Sequence, residues 1–385
     1  ISDLCSCDLT EFPTVAVAVP VYNEDIEMVE KNMKQLKTLN YPKEKLHFYM
    51  LDDSSDPELA NKTKELSKRN GFVYLHRDSR AGFKAAALNN MLKHSRDEFV
   101  AIFDSDEYLT DRNYLLDTLP FFSDEKLSYI QTEKRYQHNT FFSDSVDLFD
   151  AIFFKFIQSA RALNNTAIFA GSCGIIKRSA LDDIGGFPEY VIEDTFFSFE
   201  SDMHNYKSLY LPKVYALGRP VRTFTELAKQ QWRYNYGDTQ FISYFFKKKG
   251  YRKGSPLSNM EYLTHGFGLN YLSIVLIMFT IVSIGVVFSA IPFAHINFSS
   301  ILTQNQLSLY LELIGFFAFT LSMLTPILLA KIYFKSFKKG LMVFFLNYAL
   351  AFVRTKAAIA TFLHTNPGIN WNRNKDSKKI GRAHV

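Results

Sequence analysis

The segment Phe99-Val100-Ala101-Ile102-Phe103-Asp104-Ser105-Asp106 decides the fold. A short apolar run that ends abruptly in acid reads as a buried strand whose carboxyl end opens onto solvent. The pattern recurs upstream. Thr14 to Val19 is a β-rich apolar run ending at Pro20, and Leu46 to Leu51 runs into Asp52-Asp53-Ser54-Ser55. Phe72 to Leu75 supplies a further strand. Between these runs, 24–38, 57–69 and 84–95 carry helical spacing, the first through Ile26, Val29, Met33 and Leu36. Strands alternating with helices predict an α/β domain on a largely parallel sheet. Ligands of open α/β sheets bind beyond the carboxyl ends of the strands, where these acids fall.

Composition sets the outer bounds. The 385 residues are 47% hydrophobic and 22% charged with 37 Phe, which excludes a mostly disordered chain. Three Cys exclude a disulfide scaffold and a four-cysteine zinc site. The net charge of +5 comes without a basic, aromatic-interleaved run in the first half, so nucleic acid is not the expected partner. Mean hydropathy is −0.08, but it averages a soluble first part with an apolar last third. The opening Ile1 to Cys7 lacks an apolar signal core and an initiator Met. The chain is therefore expected to be a fragment whose own start, with any membrane segment there, lies outside it.

From about 225 the character changes. Residues 225–248 mix aromatics with Lys, Arg, Gln and Asn, as an amphipathic helix at a membrane interface would. Residues 266–294 and 313–330 carry no charge, and each is long enough to be expected to span a bilayer. The loop 295–308 has no Lys or Arg, whereas 331–339 holds Lys331, Lys335, Lys338 and Lys339. The positive-inside rule then puts the second loop, and the domain before the first span, in the cytoplasm. The apolar run 340–353 is short and followed by Arg354 and Lys356, so 340–363 reads as interfacial or re-entrant. The expected organisation is an N-terminal segment 1–13, an α/β domain 14–224, interface helices 225–262, two spans within 263–335, and an interfacial or third membrane segment with a basic tail over 336–385.

Several constellations carry chemistry. Asp104 and Asp106 form a D-x-D at a strand end, and alternate residues of an extended segment point the same way. Two such carboxylates suit a hard divalent cation whose remaining ligands are phosphate and water. A solvated turn explains the same residues. Asp52 and Asp53 could bond a base or ribose, or cap a helix before Pro57. Tyr22 and Glu24 follow the first strand in what also reads as a simple turn. Lys84 could reach a phosphate or stand as an exposed helix lysine. Glu193-Asp194, after Gly185-Gly186-Phe187-Pro188, offers a candidate general base. Gln230-Gln231-Trp232-Arg233-Tyr234 could bind a diphosphate and stack on a sugar, or anchor an interface.

The order of these elements over 20–234 is more telling than any one of them. Together with Ile157 to Asn165, Phe169-Ala170-Gly171-Ser172-Cys173 and Ile184-Gly185-Gly186-Phe187, it resembles the membrane-integrated family-2 glycosyltransferases of the cellulose synthase-like and hyaluronan synthase-like group. The specific motifs cover roughly 14–240, and the remainder matches by topology. The resemblance implies a GT-A type, Rossmann-like cytoplasmic catalytic domain followed by interfacial and transmembrane helices. It implies that Tyr22, Glu24, Asp52, Asp53 and Lys84 face the nucleotide. Asp104 and Asp106 would hold Mg2+ or Mn2+ against the diphosphate. Gln131 would lie beside the donor sugar, and Gly171 and Ser172 would line the acceptor site. Asp194 would deprotonate the acceptor with support from Glu193, while Gln230, Arg233 and Tyr234 cradle the diphosphate and the acceptor end.

The implied activity is inverting transfer from a nucleotide-diphosphate sugar, UDP favoured over GDP, to a β-linked polysaccharide at the plasma or inner membrane. Processivity, translocation, oligomer state and accessory subunits stay open. Tyr234 replaces the family's Trp, Gln231 stands where the processive branch often has Arg, and Ala170 where cellulose synthases often have Cys. These departures lie where a polymer would bind, so the acceptor is the least determined feature. Transfer of one sugar to a polyprenyl-phosphate or glycolipid, or a role as an inactive scaffold or transporter subunit, remain alternatives.

Overall fold

A computed structural model describes residues 11–137, 140–248, 255–266, 268, 324–325 and 327–363. In chain order, β1 (Val15–Val21) leads to α1 (Ile26–Leu36), β2 (Leu46–Asp52), α2 (Pro57–Asn70), β3 (Val73–His76), α3 (Phe83–His94) and β4 (Phe99–Ile102). Then follow β5 (Tyr108–Leu109), α4 (Tyr114–Thr118), β6 (Leu127–Thr132), β7 (Arg135–Tyr136), α5 (Phe141–Ile152), α6 (Ser159–Ala162) and β8 (Gly174–Lys177). The remaining elements are α7 (Arg178–Ile184), α8 (Glu193–Met203), β9 (Lys207–Leu211), β10 (Ala216–Gly218), α9 (Phe224–Lys247) and α10 (Phe337–Phe362). Between α5 and α6 the helix widens into a π-helical stretch, Phe153–Gln158.

The alternation foreseen from sequence is realised as a seven-stranded sheet ordered β3-β2-β1-β4-β8-β6-β9, with a small β5-β10-β7 sheet beside it. One expectation is corrected. Pro20 lies inside β1 rather than ending it: β1 pairs with β4 only from Val15 to Ala18, so the missing Pro20 N–H faces no β4 acceptor. The sheet is largely parallel, as expected, with one reversed strand. β8 runs antiparallel to both β4 and β6. That reversal brings the turn before β8 to the edge where β4 ends. Cys173 donates its backbone N–H to Ile102 at 2.9 Å, so 170–173 lies against the D-x-D segment.

Packing follows the two-residue period of the strands. Val15, Val17, Val19 and Val21 of β1 face α1 and Met33, Leu36 and Leu66, whereas Ala16 and Ala18 face Ala85, Leu88 and Met91 of α3. Small residues on the second face let α3 approach closely, which sets Lys84 near the strand ends. The helix starts are fixed locally. Asp25 caps α1, and Asp56, with Pro57 in the first turn, caps α2. Each such cap contributes about 1 kcal/mol. The capping alternative for Asp52-Asp53 is thus taken by Asp56.

An aromatic cluster of Phe196, Phe199, Phe241, Phe245 and Tyr262 joins α8 to α9. Gly237 allows the contact, since a Cβ there would lie 2.7 Å from the Ile192 side chain. α10 packs across α5 and α9 through Val343, Leu346, Leu350 and Ala357, and Lys339 reaches Asp144 of α5 at 2.9 Å. Its other face exposes Phe337, Leu341, Phe345, Phe352 and Ile359. With 26 residues, α10 is long and apolar enough to cross a membrane by length and composition alone. The expected span 266–294 and most of 313–330 lie outside the described residues.

Candidate active site

At the carboxyl ends of β1 and β2 the acids are fully partnered. Asp52 is buried; its Oδ1 accepts from Ser54 N at 2.8 Å and its Oδ2 from the Tyr74 hydroxyl at 2.7 Å. Asp53 takes a two-pronged bond from Arg77, at 2.8 and 2.5 Å, while the same guanidinium donates to the Ala81 and Phe83 carbonyls. Arg77 thereby ties strand β2 to the turn that starts α3. Asn23, at a left-handed φ of 50°, donates its N–H to Ser54 Oγ at 2.8 Å. Arg80 lies over the Tyr22 ring at 3.6 Å. Half-buried Tyr22 and Glu24 therefore border a rigid, pre-formed corner.

At the end of β4 the charges crowd. Lys84 Nζ donates to Asp104 Oδ1 at 2.6 Å and to the Gly171 carbonyl at 2.8 Å. Glu107, buried, accepts from Asp104 N at 2.9 Å and from the Ser172 hydroxyl at 2.6 Å. Lys134 donates to Ser172 Oγ at 2.5 Å and lies 3.2 Å from Glu107 and 3.6 Å from Asp104. Buried Asn32 of α1 holds the loop from below, donating to the Asp104 and Glu107 carbonyls. Burial works against the Asp104 charge, but Lys84 and Lys134 hold its carboxyl well below the usual range. The two lysines thus favour the ionised carboxylate that a cation ligand requires. Among the described residues no three His, Cys, Asp or Glu are grouped to hold a metal alone. Asp104 and Asp106 are half-buried at one strand end, a donor set that suits Mg2+ or Mn2+ only when phosphate oxygens complete the shell.

The third group gathers around Gly171. At a φ of +80° this residue adopts a conformation open to glycine, and a Cβ would lie 3.2 Å from Asp194 Oδ2 and 3.8 Å from Lys84 Nζ. Asp194 therefore faces Lys84 across a bare backbone. Its Oδ1 accepts from Thr195 N at 2.8 Å in the first turn of α8. Burial raises the Asp194 carboxyl nonetheless, against the lowering by that N–H and by Arg233. Burial and the neighbouring Asp194 charge push Glu193 up to about 7, with Lys84 and Arg233 pulling the other way. Arg233 also acts electrostatically on Arg80, whose guanidinium lies over Tyr22. Gln230 donates to the Tyr234 hydroxyl at 3.1 Å, and Arg233 lies 5.3 Å over the Tyr234 ring.

The structure thus brings Lys84, Asp104, Gly171, Ser172, Glu193, Asp194 and Arg233 to one edge. Gln131 has a different place from the one the resemblance implied. It is wholly buried, donating to the Thr132, Ser172 and Cys173 carbonyls and accepting from Ala170 N at 2.7 Å, so it holds the 170–173 turn from beneath. Sequence reasoning passed over Glu107, Lys134, Arg77 and Arg80. Glu107 had a signal, since it directly follows the D-x-D; the others are single cations whose partners are fixed only by the fold.

Residues 16–185 match a family model described as Glycosyl transferase family 2. Over 240 residues the chain is 31% identical to the cellulose synthase catalytic subunit (UDP-forming) of Pseudomonas fluorescens strain SBW25, covering 60% of this chain and 32% of that protein. It is 28% identical over 243 residues to the probable glucomannan 4-beta-mannosyltransferase 7 of Oryza sativa subsp. japonica, covering 59% of this chain and 41% of the relative. The chain spans less than half the length of these curated relatives. Among solved structures it is similar to the mannosyltransferase PcManGT from Pyrobaculum calidifontis in complex with GDP-Man and Mn2+. There the TM-score is 0.61 at 17% identity, covering 93% of this chain and 89% of that one, a likeness of fold.

Proposed function

We propose, for a chain that carries a family-2 glycosyltransferase domain of the cellulose synthase-like kind on a Rossmann-like GT-A fold, an inverting transfer of sugar from a nucleotide diphosphate to a glycan hydroxyl at a membrane. The observation that carries the reading is the meeting of Asp194, Lys84 and Asp104 around Gly171, with the Arg233 charge acting on Asp194 and Glu193. Tyr22, Glu24, Asp52 and Asp53 border the nucleotide. Lys84 and Arg233 take the charge of the diphosphate. Asp104 and Asp106 would hold Mg2+ or Mn2+, which when bound neutralises the phosphates.

Asp194 accepts the proton of the acceptor hydroxyl. The new oxygen–carbon bond forms at the anomeric centre as the bond to the diphosphate breaks on the opposite face, and the electron pair leaves with the nucleoside diphosphate. An α-linked donor gives a β-linkage. Gly171 leaves room for the acceptor beside Asp194, Ser172 fixes that wall through Glu107 and Lys134, and Gln131 braces it. Gln230 and Tyr234 flank the acceptor end. A base whose pKa is raised by burial is better matched to neutral pH than an ordinary aspartate.

A UDP donor is favoured because the bacterial relative is described as UDP-forming. The catalytic domain is read as cytoplasmic, with the exposed apolar stripe of α10 at the bilayer surface. The convergence of charges supports transfer over a binding-only scaffold. The test is incubation of the membrane-reconstituted protein with a panel of UDP- and GDP-sugars and Mg2+ or Mn2+. Release of nucleoside diphosphate with one donor, abolished by EDTA, is expected, and product sizing separates a polymer from a single addition. No release with any donor would overturn the reading.

A further inference from the structure

Arg354 of α10 is wholly buried, although it lies in a helix long and apolar enough to cross a membrane by length and composition. Its Nε donates to Gln231 Oε1 of α9 at 3.0 Å and its Nη1 to Asn347 Oδ1, one heptad earlier on its own helix, also at 3.0 Å. Its guanidinium lies 5.4 Å from the Phe149 ring of α5, and the buried Asp238 of α9 is near enough to act on it. A buried guanidinium is costly unless its bonds are made, so its placement fixes the neighbours that make them.

Helical spacing says what those neighbours control. Gln231, Asn235 and Asp238 lie at i, i+4 and i+7 on the side of α9 that meets α10, whereas Gln230, Arg233 and Tyr234 turn toward the site. Gln231 lies within the face that meets α10, next in sequence to Gln230 of the other face. Its side-chain oxygen is held by Arg354, and its backbone carbonyl accepts from Asn235 Nδ2 at 2.7 Å. A rotation of α9 that moved Arg233 away from Asp194 would break the Arg354 bond.

We propose that Arg354 is a positioning residue for transfer: from the C-terminal helix it locks the rotation of α9, through Gln231, so that Arg233 meets the leaving diphosphate. The inference rests on the transferase reading above. An arginine at 231 would set two guanidinium groups against each other here, so the cation of this contact belongs to α10.

The test compares wild type, R354Q, R354K, Q231R and the exchange variant Q231R/R354Q, all full-length and membrane-reconstituted. The readouts are nucleoside diphosphate release from UDP-glucose and GDP-mannose, and UDP affinity with Mn2+. R354Q and Q231R should each lower kcat at least tenfold while UDP affinity stays within threefold. The exchange should recover most of the lost kcat, because one cation and one amide face each other again, and R354K should fall between. If R354Q fails to fold, the exchange variant and R354K carry the comparison. An unchanged kcat in folded R354Q, or an exchange variant no better than the product of its two parents, would overturn the proposal. Absence of turnover in wild type would instead count against the transferase reading.

Discussion

The corner at β1 and β2 and the corner at β4 and α8 are built from the same residue type and behave oppositely. Asp52 and Asp53 have every oxygen answered, by a backbone N–H, a tyrosine hydroxyl and a two-pronged arginine. Glu193 and Asp194 sit side by side, Asp194 accepting from the Thr195 N–H, and burial raises both carboxyls. The first arrangement is rigid before any ligand arrives, as a recognition surface should be. The second keeps an acid in an unfavourable environment and so makes it a stronger base, as chemistry requires. Under the proposed transfer, recognition and reaction would fall to different halves of one sheet edge.

Three substitutions put pressure on that division. D194N should have the largest effect, lowering kcat on the order of 10²–10⁴-fold, the usual contribution of a general base. G171A comes next. A Cβ at a φ of +80° and 3.2 Å from Asp194 Oδ2 would displace the carboxylate, and misplacement by about 1 Å can cost up to about 10²-fold, so a roughly tenfold loss of kcat is expected with UDP affinity unchanged. E193Q should have the smallest effect. Activity needs Asp194 ionised, so it falls as pH drops through the raised pKa of Asp194. The Asp194 charge helps to raise Glu193, so Glu193 is already protonated where Asp194 titrates, and E193Q should leave the acidic limb of the pH profile in place. A shift of that limb would mean that Glu193 carries charge while Asp194 titrates.

Much of the first half was legible in sequence because its information is local. An apolar run ending in acid announces a strand end, and the helices between the runs carry their own period. Asp52, Asp104 and Asp106 could be placed at the ligand edge on that basis alone. What is non-local was not legible. Nothing near Lys134 says that it will pair with Glu107 and Ser172. Gln131 was expected beside the donor sugar, yet its amide bonds its neighbour Thr132 and three backbone groups of the 170–173 turn that leads into the reversed strand β8. Arg354 read as the charge that ends an apolar run, but α10 continues past it to Phe362, with Gln231 and Asn347 accepting from its Nε and Nη1 inside the fold.

The most direct measurement sets Y22A beside D194N in the same two assays, UDP–Mn2+ affinity by calorimetry and kcat at saturating donor. Tyr22 is half-buried under Arg80 and carries no core packing, so its loss should leave the fold intact. Loss of an aromatic base contact costs about 1–3 kcal/mol, so Y22A should bind UDP roughly 10- to 100-fold more weakly with kcat within threefold of wild type. D194N should bind UDP normally and turn over almost nothing. If D194N keeps its turnover, or if both variants lose affinity and kcat together, recognition and reaction are not divided between the two corners.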